Sequence, residues 1–248
     1  MSPVKHRRTS YLALVAAAVL TLSACTTTPA AGAAKTHSSS STTSVATTAP
    51  TAAAVYQMMR TSGAAARSVH INGTYTDKGQ ELQLDAEGDR AGHTMRLLVN
   101  FGLGAIEILK VNDDFYLKAD AAFWTRLEGS AAIAKMAAGK YVKVPAGSAA
   151  GMGDFRVGTL LDQVLAEDIS TADKLNTTVQ ATDVDGVPAY LMTTKLGGNV
   201  KIYISADGRA RLLRAESTKS GTLDFTEWDS VAPTSAPSAD QLVKIPGL

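Results

Sequence analysis

Two long stretches of this chain alternate apolar and polar residues with a period of two, and this alternation constrains the fold more than any other feature. Successive side chains of a β-strand point to opposite faces, so each stretch predicts strands with one apolar and one polar face. The first stretch predicts about five antiparallel strands in a row. Its apolar positions are Val69, Ile71, Tyr75, Leu82, Leu84, Met95, Leu97, Val99, Phe101, Ile106, Ile108, Phe115 and Leu117.

The second stretch predicts five more strands. Asp185-Gly186 and Asp207-Gly208 have the composition of two-residue hairpin turns between neighbouring strands. The predicted strands cover Thr178–Val184, Pro188–Leu196, Val200–Ser205, Arg209–Thr218 and Gly221–Trp228.

Helical spacing of apolar residues occurs before and between these blocks. It predicts helices over Ala52–Arg67, with a weak point at Gly63, and over Gly158–Glu167; an Ala-rich stretch and a short strand at Tyr141–Val144 lie between the blocks. The order predicts an α+β fold with one strongly curved antiparallel β-sheet of about ten strands. A sheet this large tends to curl, so we expect a half-barrel with the helices on its concave face.

The N-terminus predicts a lipoprotein signal peptide over residues 1–24. A basic stretch precedes an apolar run of roughly a dozen residues, which is shorter than the about 20 that a membrane-spanning helix needs. Leu22-Ser23-Ala24-Cys25 then matches the bacterial lipobox at all four positions. We therefore expect Cys25 to become a diacylglyceryl cysteine, with palmitate or a similar acyl chain, that anchors the protein to the cell membrane.

Residues 25–51 are expected to form a flexible tether, and residues 52–248 the folded domain. The tether is rich in Thr, Ser, Ala and Pro, and it has almost no large apolar side chain with which to offset the entropy of folding. O-linked sugars on the tether and an unmodified linker both remain open. Cys25 is the only cysteine in the sequence, so no disulfide can form within the chain.

Charge and motifs argue against nucleic acid as a partner and against an enzyme. Without residues 1–24 the chain has 21 basic and 23 acidic residues, and it has no basic cluster for a phosphate backbone. It contains no P-loop, dinucleotide fingerprint or Gly-x-Ser-x-Gly turn. We expect no metal, no cofactor and no catalytic residues.

Two histidines and one acidic cluster are the remaining candidates for chemistry. His70 and His93 are expected to be solvent-facing strand residues. Asp224, Glu227 and Asp229 surround Trp228 and could form a sugar platform, but a solvated acidic face on a final edge strand explains them better. The Gly147–Gly153 loop is a candidate lid.

Two segments of the chain resemble a known family. The run Asn112–Lys118 followed by Phe123-Trp124, and the ending Val231–Pro233 with Asp240–Val243, are similar to actinobacterial lipoproteins of the LppX/LprG type (LppX/LprAFG). Together with the lipobox, the tether and the order of elements, the resemblance covers most of the chain. It implies a LolA-like fold, an unclosed β-barrel whose hydrophobic cavity holds the acyl chains of envelope lipids.

The resemblance implies a monomeric lipoprotein on the outer face of the cell membrane that binds and transports or presents an acylated envelope lipid or lipoglycan, with an export partner left open. The alternative is a non-enzymatic accessory module of an envelope transporter or wall-assembly complex. An apolar cavity and a solid core suit the predicted inward-facing residues equally well. These cavity candidates are Val69, Ile71, Leu82, Leu84, Leu97, Val99, Ile106, Ile108 and Leu117.

The lipobox leads to a direct prediction for Cys25→Ala. Without the thiol no acyl group can be attached, so we expect the variant to leave the membrane fraction or to remain unprocessed. Membrane fractionation and intact-mass measurement of the products check this. Wild-type membrane association and wild-type mass in Cys25→Ala would contradict the assignment of Cys25.

Overall fold

The structure is a computed structural model that describes residues 50–77, 79–101, 104–128, 131–145, 149, 156–166, 178–194 and 200–245. The predicted signal peptide, Cys25 and residues 26–49 of the predicted tether lie outside the described residues. So does the predicted 147–153 loop, except for residue 149.

The order of elements confirms the α+β class. Four helices and twelve strands are described. In none of the helices within these ranges is the chain long and apolar enough to cross a bilayer. The elements are α1 (Ala52–Ala65), β1 (Ser68–Asp77), β2 (Gln80–Asp89), β3 (Thr94–Asn100), β4 (Ala105–Val111), β5 (Asp114–Ala119), α2 (Ala121–Glu128), α3 (Ala131–Ala137), β6 (Tyr141–Lys143), α4 (Val157–Ala166), β7 (Thr178–Val184), β8 (Val187–Thr194), β9 (Val200–Ser205), β10 (Leu212–Ser217), β11 (Gly221–Thr226), a 3-10 turn (Ala239–Gln241) and β12 (Leu242–Val243).

All twelve strands form one sheet in the order β12-β6-β5-β4-β3-β2-β1-β11-β10-β9-β8-β7. The sheet is not closed, because β12 and β7 are its two edges. It has twelve strands where the sequence predicts about ten: β6 is the short strand predicted at Tyr141–Val144, and β12 has no predicted counterpart. These two strands pair in parallel, while all other neighbours are antiparallel. Strong curvature and a concave position of the helices stay predictions.

The last long strand, β11, lies in the middle of the sheet, so the prediction of a final edge strand is wrong. It pairs with β10 on one side and with β1 on the other, from His70↔Thr226 to Tyr75↔Gly221. This pairing joins the two blocks of strands. It also gives hydrogen-bonding partners to the main-chain groups of two strands that would otherwise each be an exposed edge.

One face of the sheet is covered by helices, and we call it the helix-bearing face. Residues paired directly across neighbouring strands lie on the same face. One such line runs through Leu117, Ile108, Leu97, Ala86, Ile71 and Phe225. Its central members are buried in one core with Val55 and Met59 of α1 and Leu161 and Leu165 of α4.

Helices α1 and α4 also contact each other closely. A Cβ atom added at Gly63 would lie 2.5 Å from Leu165 Cδ1, so the residue expected to weaken α1 lets α4 approach it. The Tyr56 hydroxyl donates to the Leu165 carbonyl over 3.3 Å, and the Arg90 guanidinium donates to the Gly63 carbonyl over 2.9 Å and to the Asp162 carboxylate. Arg90 thereby ties the β2–β3 turn to both helices.

The α2–α3 pair forms a second core on the same face. Trp124 is 1% exposed and packs with Ala134, Ala137 and Val142. Leu117, which is paired with Val142, places this core on the helix-bearing face. Helix α2 has no counterpart among the predicted elements. The Phe123-Trp124 pair that supported the family resemblance lies in this helix, with the two rings in a T-shaped contact at 5.5 Å.

Because the core between the sheet, α1 and α4 is buried, we expect Leu161→Ala to cause a large loss of stability. Leu161 is fully buried between the sheet and α1, so truncation leaves a cavity that costs about 3 kcal/mol of the free energy of unfolding. Urea denaturation measures this loss. Leu160→Ala is the matched control, because the Leu160 side chain, next to Leu161 on α4, is only half-buried. This variant should lose about 1 kcal/mol of the free energy of unfolding. Equal losses in the two variants would contradict the described packing of α4.

Candidate functional site

The nine predicted cavity residues all lie on the helix-bearing face. The register places them there because each is directly paired with another member of that face. Val69, Ile71 and Leu97 are at most 5% exposed and belong to the closed core under α1 and α4. The other six, namely Leu82, Leu84, Val99, Ile106, Ile108 and Leu117, are half-buried.

The half-buried candidates divide among different neighbours. Leu84, Val99 and Ile108 pack against the α1–α4 core, whereas Ile106 and Leu117 pack against the α2–α3 core. Leu82 is paired with Tyr75, whose side chain is exposed. The nine cavity candidates therefore form one surface of the sheet, and the α1–α4 and α2–α3 cores each bury part of it.

A line of apolar residues crosses nine strands at one level of this face, next to the buried line, and we call it the apolar row. Consecutive members are direct cross-strand partners, and all except Met192 are half-buried. The apolar row consists of Ile106, Val99, Leu84, Gly73, Leu223, Ala215, Ile202, Met192 and Val179.

Sequence reasoning missed the half of the apolar row that comes from the second block. The alternation in that block was visible at Ile202, Leu223 and Val179, but it does not state which strands of the two blocks are neighbours. The pairing of Gly73 with both Leu84 and Leu223 makes the row continuous. Leu160 and Val164 of α4 are also half-buried against the same core, and they add aliphatic surface beside the sheet.

The chemistry of the apolar row is that of a hydrocarbon surface. No side chain in it carries a hydrogen-bond donor or a charge, and Met192 contributes a polarizable, flexible thioether. Each CH₂ group of a ligand buried against such a surface contributes about 0.8 kcal/mol. The arrangement suits an acyl chain, and it offers no group for acid-base or nucleophilic catalysis.

The opposite face of the sheet, which we call the charged face, bears a network of ion pairs. Arg96 Nε lies 2.9 Å and Lys118 Nζ lies 3.2 Å from the two oxygens of Glu107. Burial alone would raise the pKa of Glu107, but hydrogen bonds from Arg96, Lys118 and Tyr141 outweigh burial and lower that pKa below its ordinary value. Burial, together with the Glu107 charge, raises the pKa of Tyr141 to about 12.

The predicted acidic cluster around Trp228 is divided among separate partners. Asp224 accepts from Arg214, Asp229 accepts from Arg211 and from the Arg67 main chain, and Glu227 faces His70. The Trp228 ring stacks on Phe225, and the Arg211 guanidinium lies 5.1 Å from its centre. A ring covered in this way does not present the open face that a sugar platform requires.

Both histidines differ from their predicted environment. His70 lies on β1, but its side chain is only 18% exposed, and it contacts Asp85 and Glu227. His93 lies in the turn between β2 and β3, where its exposed ring contacts Asp89. Only His93 is solvent-facing, and it is not a strand residue.

A depression of about 280 Å³ lies on the charged face, away from all nine predicted cavity residues. Its three charged residues pair with one another: Arg214 pairs with Asp224 through Nε, and Arg214 Nη2 lies 3.2 Å from Asp185. It is therefore not the predicted acyl-chain site. Its lining residues are Asn72, Val184, Asp185, Val187, Leu213, Arg214, Asp224, Phe225 and Thr226.

Comparison with known proteins finds similarity at the level of solved structures. No protein-family model and no curated protein sequence match the chain. LprF from Mycobacterium bovis matches at 17% identity over 75% of this chain and 96% of its own, with a TM-score of 0.49. The Mycobacterium tuberculosis lipoprotein LppX matches at 16% identity over 73% and 96%, with a TM-score of 0.42.

An uncharacterized conserved protein from Thermus thermophilus also matches, at 10% identity over 77% of this chain and 97% of its own, with a TM-score of 0.34. LprF and LppX are of the LppX/LprG type, the family that the sequence resembles. Identities this low say nothing about ligand or activity.

The lowered pKa of Glu107 predicts a specific loss of stability in acid. A carboxylate whose pKa is lowered by folding stabilises the native state above its unfolded pKa, and that contribution disappears as the pH falls through the folded pKa. Between about pH 5 and pH 3 the wild type should therefore lose more of its free energy of unfolding than Glu107→Gln. Urea denaturation across this range measures the difference, and Glu81→Gln, at an exposed position of β2, is the control. Parallel loss in wild type and Glu107→Gln would contradict the role of this network.

Proposed function

We propose that this protein is a lipoprotein, anchored through Cys25 to the outer face of the cell membrane, that binds the acyl chains of envelope lipids on the apolar row and carries or presents them. The observation that carries the proposal is the row itself. Aliphatic side chains from two separate blocks of strands form one continuous line that the helices cover only in part.

Half-exposed aliphatic surface has a physical cost in water, and this cost supports a ligand. The free energy falls when a hydrocarbon chain replaces water along a row of this kind. Gly73 lies at its centre, between Leu84 and Leu223, and adds no side chain there. The apolar row therefore has the least side-chain bulk where the two blocks of strands join. An acyl chain lying across the strands would meet least obstruction there.

The predicted anchor and tether support the same function. One acyl chain binds a membrane only marginally, whereas the two chains of a diacylglyceryl group hold it stably. The Thr26–Pro50 part of the predicted tether has 25 residues, and as a flexible coil it has a root-mean-square span of roughly 25 to 30 Å. It would keep the domain within reach of the lipids of the membrane while allowing it to stand away from the surface.

The alternative, a non-enzymatic accessory module, would use the same row differently. A protein partner of an envelope transporter or wall-assembly complex could cover it with its own apolar residues. The two functions differ in their occupant, because the first requires bound lipid in the isolated protein and the second requires none.

We expect the chain lacking residues 1–25, produced in an actinobacterial host, to co-purify with lipid detected by native mass spectrometry. Every described element lies between residues 50 and 245, so this chain retains the whole described fold. After delipidation it should bind a fluorescent long-chain fatty acid. Val99→Phe, which adds volume within the row, should weaken that binding about tenfold.

Leu98→Phe is the matched control for this experiment. Leu98 is the half-buried neighbour of Val99 on β3, and its side chain lies on the charged face. It should leave fatty-acid binding unchanged. Equal effects of the two substitutions, a protein without lipid that binds no fatty acid, or a stable complex with a protein and no lipid would each overturn the proposal.

A further inference from the structure

On the charged face, His70 is surrounded by three carboxylates. Its Nε2 lies 3.0 Å from Asp85 Oδ1, and its Nδ1 lies 3.6 Å from Glu227 Oε1. Glu87 is its direct cross-strand partner on β2. The four side chains come from β2, β1 and the residue that follows β11, so they meet where the two blocks of strands join.

Three of these residues have the spacing of metal ligands. One ligand atom from each of His70, Glu87 and Glu227 lies within 4.8 Å of the other two. Bonds of about 2.1 Å in a tetrahedral Zn²⁺ site put neighbouring ligand atoms about 3.4 Å apart. The separation of His70 Nδ1 and Glu227 Oε1, 3.6 Å, is already close to this value.

Asp85 occupies the position of an orienting residue. A histidine that binds a metal through one ring nitrogen almost always donates its other N–H to a carboxylate or carbonyl, which fixes the tautomer and the ring orientation. The contact between Nε2 and Asp85 leaves Nδ1 directed toward Glu227, with the Thr226 hydroxyl oxygen 3.5 Å from the same nitrogen. The imidazole is thus held in the orientation that a metal ligand needs.

The charges at this place are not balanced by protein cations. Among the described residues, the ion pairs of Asp85, Glu87 and Glu227 involve only His70 and Arg96. Arg96 lies 3.5 Å from Asp85 and 3.4 Å from Glu87, but it is also shared with Glu107, to which it is closer. Three carboxylates and one shared guanidinium leave a net negative charge that a divalent cation would neutralise.

We propose that His70, Glu87 and Glu227 bind a Zn²⁺ ion, with Asp85 as the residue that orients His70. One imidazole and two carboxylates are a ligand set that zinc accepts, and three protein ligands leave a fourth position for water or another ligand. The ion links β2, β1 and the end of β11. It therefore joins the two blocks of the sheet at their seam and stabilises the protein when bound.

Isothermal titration with Zn²⁺ tests this site in the untagged chain lacking residues 1–25. Removal of Cys25 also removes the only thiol that could bind zinc. We expect one Zn²⁺ per chain and a rise in the melting temperature on addition of zinc. His70→Ala should abolish both effects, and Asp85→Asn should weaken zinc binding about tenfold.

Two further variants keep the test decisive. His93→Ala removes an exposed histidine that also contacts a carboxylate, Asp89, and it should bind zinc as the wild type does. Glu227→Gln preserves the size of the side chain while removing its charge, so it should lose zinc binding even if His70→Ala fails to fold. Absence of binding in the wild type, or wild-type binding in either His70→Ala or Glu227→Gln, would overturn the proposal.

Discussion

The pairing of β1 with β11 is the interaction on which the rest of the structure depends. Without it the described strands would form two separate blocks, and β1 and β11 would each become a further unpaired edge. A Cβ atom added at Gly73 would lie 2.1 Å from the Thr222 carbonyl oxygen, so glycine is required for the two strands to approach as they do. The φ angle of Gly73, +146°, is also one that other residues rarely adopt.

The pairing of β1 with β11, which is the seam between the two blocks, brings together the key residues of both faces of the sheet. On the helix-bearing face, Ile71 meets Phe225 and continues the buried line beneath α1 and α4, while Gly73 meets Leu223 and makes the apolar row continuous. On the charged face, the same seam brings Glu227 to His70. The proposed hydrocarbon-binding row and the proposed metal site thus lie at the same seam but on opposite faces of the sheet. On β1, Gly73 belongs to the first and His70 to the second.

Much of the local structure could be predicted from the sequence. Helix α1 ends two residues before the predicted Arg67, α4 is displaced by one residue, and the period of two places all nine cavity candidates on one face. Helix α2 was missed because its eight residues are too few to establish a helical period. His93 was misplaced because the alternation does not show where a strand begins after a turn.

The sequence by itself determined which residues alternate, and therefore which side chains of each strand share a face, because the two-residue period is a property of the extended backbone. It also predicts the lipidated Cys25 from four adjacent residues. Only the tertiary structure decided that β1 and β11 are neighbours, that β11 is interior, and that Asp85, Glu87 and Glu227 surround His70. Such contacts join residues up to 157 positions apart, and local preferences carry no information on partners at that separation.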